Sequence, residues 1–493
     1  VSHRCSRHFW DRREFLFRSG GGISGLALAY LLDQDGWLST TAAAQGDTCS
    51  SPAIGVNPYA VKPPHFKPRA TAVISLFMGG GWSQVDTFDP KPALIRYAGQ
   101  PIDDKVKGDV IVRQGSPGPL MPSPFTFKKY GHSGIDVSEI FPFLSQHVDE
   151  LAFLRSVYGR SNDHVQGTYE MQTGQVNLGF PSVGSWVTYG LGSVASSLPA
   201  FVVMTDARGG PLGGPNDWSA GYMPAAFQGT LFRSTGDPIV DLKPPSSLTP
   251  EDQRQRLNAL AKLNELDLQT FPGNSELAAR ISSYELAYRM QACAPEAIDT
   301  TKESDATRKL YGLDDTVTEP FGRQCLMARR LVERGVRFVQ IFSGGVGNQN
   351  VDTWDAHGDI KSNHTQHAAE VDRPTAGLLV DLKARGLLDT TLVIMHSEFG
   401  RMPISQRGVG RDHNPGTQTV LMAGAGIRGG QVIGSSDEFG YKALEQPISY
   451  HDLHATMLHL LGLDHRKLTY RFNGRDMRLT DVYGTLIPQI VGA

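Results

Sequence analysis

From Phe321 onward the chain alternates between helical patterns and short runs that are apolar throughout. No other feature narrows the fold as much. A helix through Val332 leads into "VRFVQIF" (Val336 to Phe342), and a Gly-rich loop follows. A helix then covers Thr365 to Arg385. "TLVIMH" (Thr391 to His396) and "TVLMAG" (Thr419 to Gly424) read as strands, and "LHATMLHLLG" as a late helix. Strands apolar at every position are buried on both faces, and strands alternating with helices pair in parallel. The expected class is α/β, with a mainly parallel sheet sandwiched by helices.

The first half fits the same scheme less regularly. "TAVISLFMGGG" (Thr71 to Gly81) reads as a buried strand emptying into glycines. Ser138 to His147 reads as a helix, "LAFLRSV" (Leu151 to Val157) as a strand, and "AFVVMT" (Ala200 to Thr205) as another. Helices are expected over His164 to Gln172 and Val183 to Gly190. Two long helical patterns between Pro250 and Ala294 suggest a helical insertion at about 245–320. With 54 Gly and 30 Pro among 493 residues, a loop-rich domain is favoured over a helical bundle.

The amino-terminal segment reads as an address. In "DRREFLFRSGGGISGLALAYLL", the pair Arg12-Arg13 precedes Phe15 and Leu16, and an apolar stretch runs from Ile23 to Leu32. Ala42-Ala43-Ala44 offers a small-residue cleavage site. This is the pattern of a Tat signal over residues 1–44, implying a periplasmic or extracellular protein of residues 45–493. The apolar stretch is short for a transmembrane helix, so no stable membrane span is expected. Gly20, Gly22 and Gly25 match a dinucleotide fingerprint, but charged residues precede them and no βαβ unit follows, so no nucleotide site is expected there.

Charge and cysteine content exclude other classes. Lys and Arg total 47 against 50 Asp and Glu, a formal charge of −3. Nucleic acid is not an expected partner, because its binding needs a basic stripe. Cys5, Cys49, Cys293 and Cys325 form no C-x-x-C pair, so a thiolate zinc site is not expected. Without Cys5, the others allow at most one disulfide.

In open parallel sheets, ligands gather beyond the carboxyl ends of the strands. The first strand delivers "GGGWSQVDTFDPKP", with Asp86 and Asp89. The Val336 strand delivers Asp352, Asp355, His357 and Asp359. The Leu392 strand delivers Glu398 and Arg401, and the loop before Thr419 carries Arg411, Asp412 and His413. Carboxylate oxygens with imidazole nitrogens suit zinc, manganese or a similar divalent ion. Asp86 and Asp89 fit metal binding or a turn cap before Pro90. Arg401 and Arg411 fit two-pronged binding of a phosphate or sulfate, or a pairing with a nearby carboxylate. His364 and His367 fit the start of a helix, and His451, His454 and His459 fit packing or surface roles.

The ordered set "GGGWSQVDTFDPKP", "HVQGTYEMQTG", "PSVGSWVTYGLG", "WDAH", "RGLLDTTLVIMHSEFGR", "GRDHNPG" and "MAGAGIRGG" resembles a Tat-exported, sulfatase-like family known as domain of unknown function 1501. It also resembles the alkaline phosphatase and sulfatase superfamily. The resemblance implies a parallel α/β sandwich with metals at its carboxyl edge. It implies a nucleophile opening a helix ahead of a Thr-Gly pair; here the pair is Thr173-Gly174 and the position is His164, which has no hydroxyl. Asp355, His357 and His413 correspond to one metal site. The usual Asp-His or Asp-Asn pair becomes Glu398-Phe399, and Asp86 could replace a first-strand aspartate only if its loop folds back. The expected protein is an exported metal-dependent hydrolase of phosphate or sulfate esters. Its ion, whether zinc, manganese or calcium, would be held by Asp355, His357 and His413 with Glu398 and Asp86 as further candidates. His164 would act as base or ligand, and Arg401 and Arg411 would neutralise the anion. The alternative is a non-catalytic carbohydrate- or envelope-binding protein on the same scaffold.

Overall fold

The computed structural model describes residues 58–103, 105–106, 110–113, 117–234, 238–239, 249–270, 275–345 and 352–492. The twin-arginine segment, the glycines at 20, 22 and 25, Cys5 and Cys49 lie outside the described residues. One sheet organises the main compact unit. Its strands are β1 (Ala72–Met78), β2 (Ala152–Tyr158), β3 (Phe201–Met204), β4 (Thr230–Phe232) and β5 (Phe338–Ser343). The remainder are β6 (Thr391–His396), β7 (Gln418–Gly424), β8 (Gln431–Ile433) and β9 (Ile448–Ser449). Across the sheet the order is β8-β2-β7-β6-β1-β5-β3-β4, and β9 also pairs with β2.

Every pairing is parallel except those of β7, which runs antiparallel to β2 and β6. Parallel neighbours need a long crossover, usually helical. The segment from β6 to β7 holds no helix, so the chain returns in the opposite direction. β1 is buried at every position, as its apolar run implies. Alternate residues serve opposite faces: Ile74, Leu76 and Met78 enter one core, and Val73 and Phe77 enter the other.

The helices are α1 (His164–Thr173), α2 (Val183–Leu191), α3 (Pro250–Thr270), α4 (Ser275–Ile298), α5 (Glu319–Glu333), α6 (Ile360–Ala384) and α7 (Tyr450–Leu460). Leu326 and Leu331 of α5 and Leu378 and Leu379 of α6 fill the first core. Trp186 and Val187 of α2 and Leu453 and Leu458 of α7 fill the second. The sandwich expected from the sequence is therefore present. Each fully buried Leu, Val or Phe side chain contributes roughly 1.5–3 kcal/mol to it. Residues Lys243–Glu285, holding α3 and the beginning of α4, belong to a separate compact unit, in which Arg254 pairs with Glu285 at 2.6 Å.

Two local expectations change. Ser138 to His147 is no α-helix: Ile135–Ser138 pairs with Phe127–Tyr130, and a 3-10 helix spans Leu144–Glu150. The Asp372 carboxylate of α6 accepts from the Phe143 and Leu144 amides at 2.8 and 2.7 Å, and Pro142 has no amide hydrogen to give. The helix expected from Thr365 starts at Ile360, because the Asp359 side chain caps the amides of Lys361 and Ser362. Cys325 is a buried free thiol in α5.

Candidate metal centre

The carboxyl ends of β1, β2, β5 and β6 and the amino end of β7 lie along one edge. That edge gathers the residues singled out above. Downstream of β2, the Asp163 side chain accepts from the Val165 and Gln166 amides, which makes His164 the first residue of α1. After β5, the chain returns through Trp354 to His357 before entering α6. Glu398 follows β6 by two residues. His413 precedes β7 and is held in a short antiparallel ribbon opposite Arg401.

His164, Asp355, His357 and His413 each present one ligand atom, all within 4.8 Å of one another. The Nε2 atoms of His357 and His413 lie 3.0 and 3.2 Å from Asp355 Oδ1. His164 Nε2 lies 3.2 Å from Asp355 Oδ2, yet is not aligned for a hydrogen bond and has no other partner. The opposite nitrogens are all anchored. His164 Nδ1 donates to Glu398 Oε1 at 2.7 Å, His413 Nδ1 donates to the Asn162 carbonyl at 2.7 Å, and His357 Nδ1 donates to Gln406 Oε1. A neutral imidazole with its Nδ1 hydrogen so engaged has its Nε2 lone pair free for an ion. Three such lone pairs and one carboxylate meet at one place, so the donor set fits a bound divalent ion.

The electrostatics follow from burial and these contacts. Burial opposes charge on Asp355, but Arg401 and the three imidazoles hold it ionised far below the usual carboxylate range. Burial also disfavours charge on His164. The Asp355 carboxylate beside it and the bond to Glu398 outweigh that and push it up to about 9, so an ion bound at Nε2 takes the place of a proton. Burial dominates at His413 and pulls it down to about 4, even with Asp355 beside it. Glu398 is 1% exposed and would be raised by burial; the bond to His164 keeps it below its ordinary value.

Four expected residues thus come together, while others do not serve as expected. Glu398 is engaged rather than coordinating: Oε1 also accepts from the Gly80 amide at 2.8 Å, and Oε2 from the Ser397 hydroxyl at 2.8 Å. Asp86 lies outside the four-residue cluster. It pairs with Arg411 Nε at 2.6 Å and accepts from the Ser83 hydroxyl at 2.5 Å. Neither Arg401 nor Arg411 is open to an anion, because both guanidinium groups are fully buried and committed. Arg401 binds Asp355 at 2.6 Å and the carbonyls of Gly80, Gly81 and Arg411; Arg411 binds Asp86 and the carbonyls of Met402 and Met121. Of the alternatives open in the sequence, the carboxylate pairing is the one formed. Asp89 likewise binds Ser436, Lys91 and Arg155.

His364 and His367 do lie near the start of α6, but both are fully buried. His364 Nε2 accepts from the Ser83 amide, and His367 Nδ1 contacts Glu370. His451 and His454 are buried, as the packing reading requires. Gly80 has a structural reason to be glycine: its φ is +113°, and a Cβ there would stand 2.5 Å from the Asp355 amide nitrogen.

Sequence reasoning missed the supports. Gln406 and the Asn162 carbonyl carry no motif; only the requirement that a ligand histidine be held at its second nitrogen could have found them. Phe399 offers no ligand atom and instead forms a wall beside the imidazoles. Its ring lies 4.6 Å from that of His413 and 5.1 Å from that of His164. A cleft opens beside the cluster, walled by Phe77, Gly79, Thr168, Pro211, Leu212 and Thr353.

The family model "Protein of unknown function (DUF1501)" matches residues 70–491. No curated protein matches the sequence. Among solved structures, the chain is similar to the PsFucS1 sulfatase from Pseudoalteromonas sp., at 15% identity and a TM-score of 0.33, covering 80% of this chain and 68% of that one. It is also similar to alkaline phosphatase from the Antarctic bacterium TAB5, at 11% identity and a TM-score of 0.32, covering 81% and 99%. The phosphonate monoester hydrolase SpPMH from Silicibacter pomeroyi is similar at 12% identity and a TM-score of 0.31, covering 65% and 68%.

Proposed function

The chain belongs to the DUF1501 family of proteins of unknown function, and from the donor set at its sheet edge we propose that it is a metal-dependent hydrolase of phosphate or sulfate esters. One observation carries the reading: three imidazoles anchored at Nδ1 turn their Nε2 atoms toward a single carboxylate. His164, His357, His413 and Asp355 would hold one ion. Nitrogen-rich coordination suits zinc or manganese rather than calcium, which takes oxygen ligands. When bound, such an ion supplies a Lewis acid that polarises the ester and lowers the pKa of a water.

The chain's own groups then have definite tasks. Glu398 holds the His164 ring by its Nδ1 hydrogen and keeps Nε2 directed at the site. Arg401 orients Asp355 through Oδ1. Phe399 covers the imidazole faces and keeps water from that side. Water cleaves one ester bond, giving an alcohol and sulfate from a sulfate ester, or an alcohol and a phosphate with one ester bond fewer from a phosphate ester. The expected location is the periplasm or the outside of the cell, after export by the twin-arginine route.

Elemental analysis of the purified chain should find near-stoichiometric zinc or manganese, lost in a His357→Ala, His413→Ala double variant. A well-folded wild-type protein that takes up no divalent ion would overturn the proposal. A second reading is favoured by one observation: His164 stands where the resemblance calls for a hydroxyl or thiol nucleophile. On that reading the chain is a carbohydrate- or envelope-binding protein. Metal-loaded protein that turns over no phosphate or sulfate ester would select it.

A further inference from the structure

With His164 neutral, its Nε2 given to the ion, the cleft beside the cluster has no cation of its own among the described residues. Its walls are backbone and uncharged side chains, and the only ionisable groups reaching it are His164, Asp355 and Glu398. The nearby arginines are committed. Arg401 and Arg411 are buried in their pairs with Asp355 and Asp86. Arg208 is clasped by Asp206 and Glu370 at 2.7 and 2.9 Å, and Arg113 binds Asp163 at 2.6 Å. Asp412 adds a further carboxylate, 4.0 Å from His357 Nδ1. With a divalent ion in place, its two charges and that of Arg401 are matched by Asp355, Glu398 and Asp412.

A substrate therefore meets a site with no surplus positive charge beyond the ion's own coordination. One negative charge can be met by an ion that lacks a full set of ligands. A second finds no guanidinium or ammonium group, and it faces buried carboxylates at low effective dielectric. Resting on the hydrolase reading above, we propose that the site selects esters bearing a single negative charge and rejects dianions. Sulfate monoesters and phosphodiesters belong to the accepted class, and phosphate monoesters to the rejected one.

The test uses the full, metal-loaded chain. Calorimetric titration at alkaline pH compares methanesulfonate, a monoanion, with methylphosphonate, a dianion. Methanesulfonate should bind at least about tenfold more tightly, the scale set by one uncompensated charge near like charges. Leu212 is 38% exposed on the cleft wall, so a longer side chain is accommodated there. Leu212→Arg should shift the preference toward methylphosphonate by about tenfold, whereas Leu212→Gln, similar in bulk and uncharged, should leave it unchanged. Equal or tighter binding of methylphosphonate by the unaltered chain overturns the inference, as does an equal response to the two Leu212 variants. Turnover of p-nitrophenyl sulfate against bis(p-nitrophenyl) phosphate separates the two accepted ester types. Faster turnover of p-nitrophenyl phosphate than of either refutes the charge rule while leaving the hydrolase reading intact. If the loaded chain neither binds these anions nor hydrolyses any of the three esters, the hydrolase reading itself fails.

Discussion

At the residue scale, Glu398 defines the site as much as any ligand does. It is buried, accepts from His164 Nδ1 and the Gly80 amide, and so ties α1 and the loop after β1 to the end of β6. Glu398→Gln keeps an acceptor but removes the charge. Metal affinity should fall by roughly 10–100-fold with the fold retained, measured by competition with a chromogenic chelator. Unchanged affinity would show that His164 does not depend on this carboxylate. The residue types at this edge were legible in the sequence because carboxylates and imidazoles fell together after successive strands. The roles of Arg401, Arg411 and Asp86 were not. Whether an arginine meets a ligand or a carboxylate depends on which loops touch, and residues 86 and 411 are joined only by the fold.

At the element scale, the caps matter most. Asp163, Asp359 and the Ser449–Asp452 capping box set where α1, α6 and α7 begin, and the start of α1 decides that His164 enters the site. Helix α7 also carries a pH response. His454 is buried; its Nε2 hydrogen bonds to the Met171 carbonyl and its Nδ1 has no partner. Burial, helped by His451 and opposed by that carbonyl, pulls it from 6.5 down to about 4. Below about pH 6.5 the unfolded chain takes up a proton that the folded chain refuses until about pH 4. This contribution is therefore complete above pH 6.5 and lost as pH falls through that window, by at most about 3 kcal/mol. Urea unfolding at neutral pH and near pH 5 should show less loss on acidification in His454→Leu than in the unaltered chain. An identical loss in both would assign the acid sensitivity elsewhere.

At the scale of the whole molecule, the sheet converts distance along the chain into proximity. His164 and His413 are far apart in sequence, yet their ring centroids lie 4.2 Å apart. Among the described residues no helix is long and apolar enough to cross a membrane. Replacing Arg12 and Arg13 together by lysine should retain a tagged full-length chain in the cytoplasm, as fractionation would show. Unimpaired export would exclude the twin-arginine route.

Local chemistry by itself determined much here. Runs apolar at every position, bounded by glycines and alternating with helical patterns, pointed to strands buried on both faces, and the patterns of α2, α5, α6 and α7 cover that sheet. The carboxyl-edge rule then indicated where Asp355, His357 and His413 would gather. Only the tertiary structure decided that β7 runs antiparallel, that both arginines turn inward, and that His164 is held by Glu398 as one of four convergent donors. Strand direction, ion-pair choice and ring orientation depend on contacts between segments hundreds of residues apart. Each is decided by which buried donor must meet which buried acceptor once the core has closed.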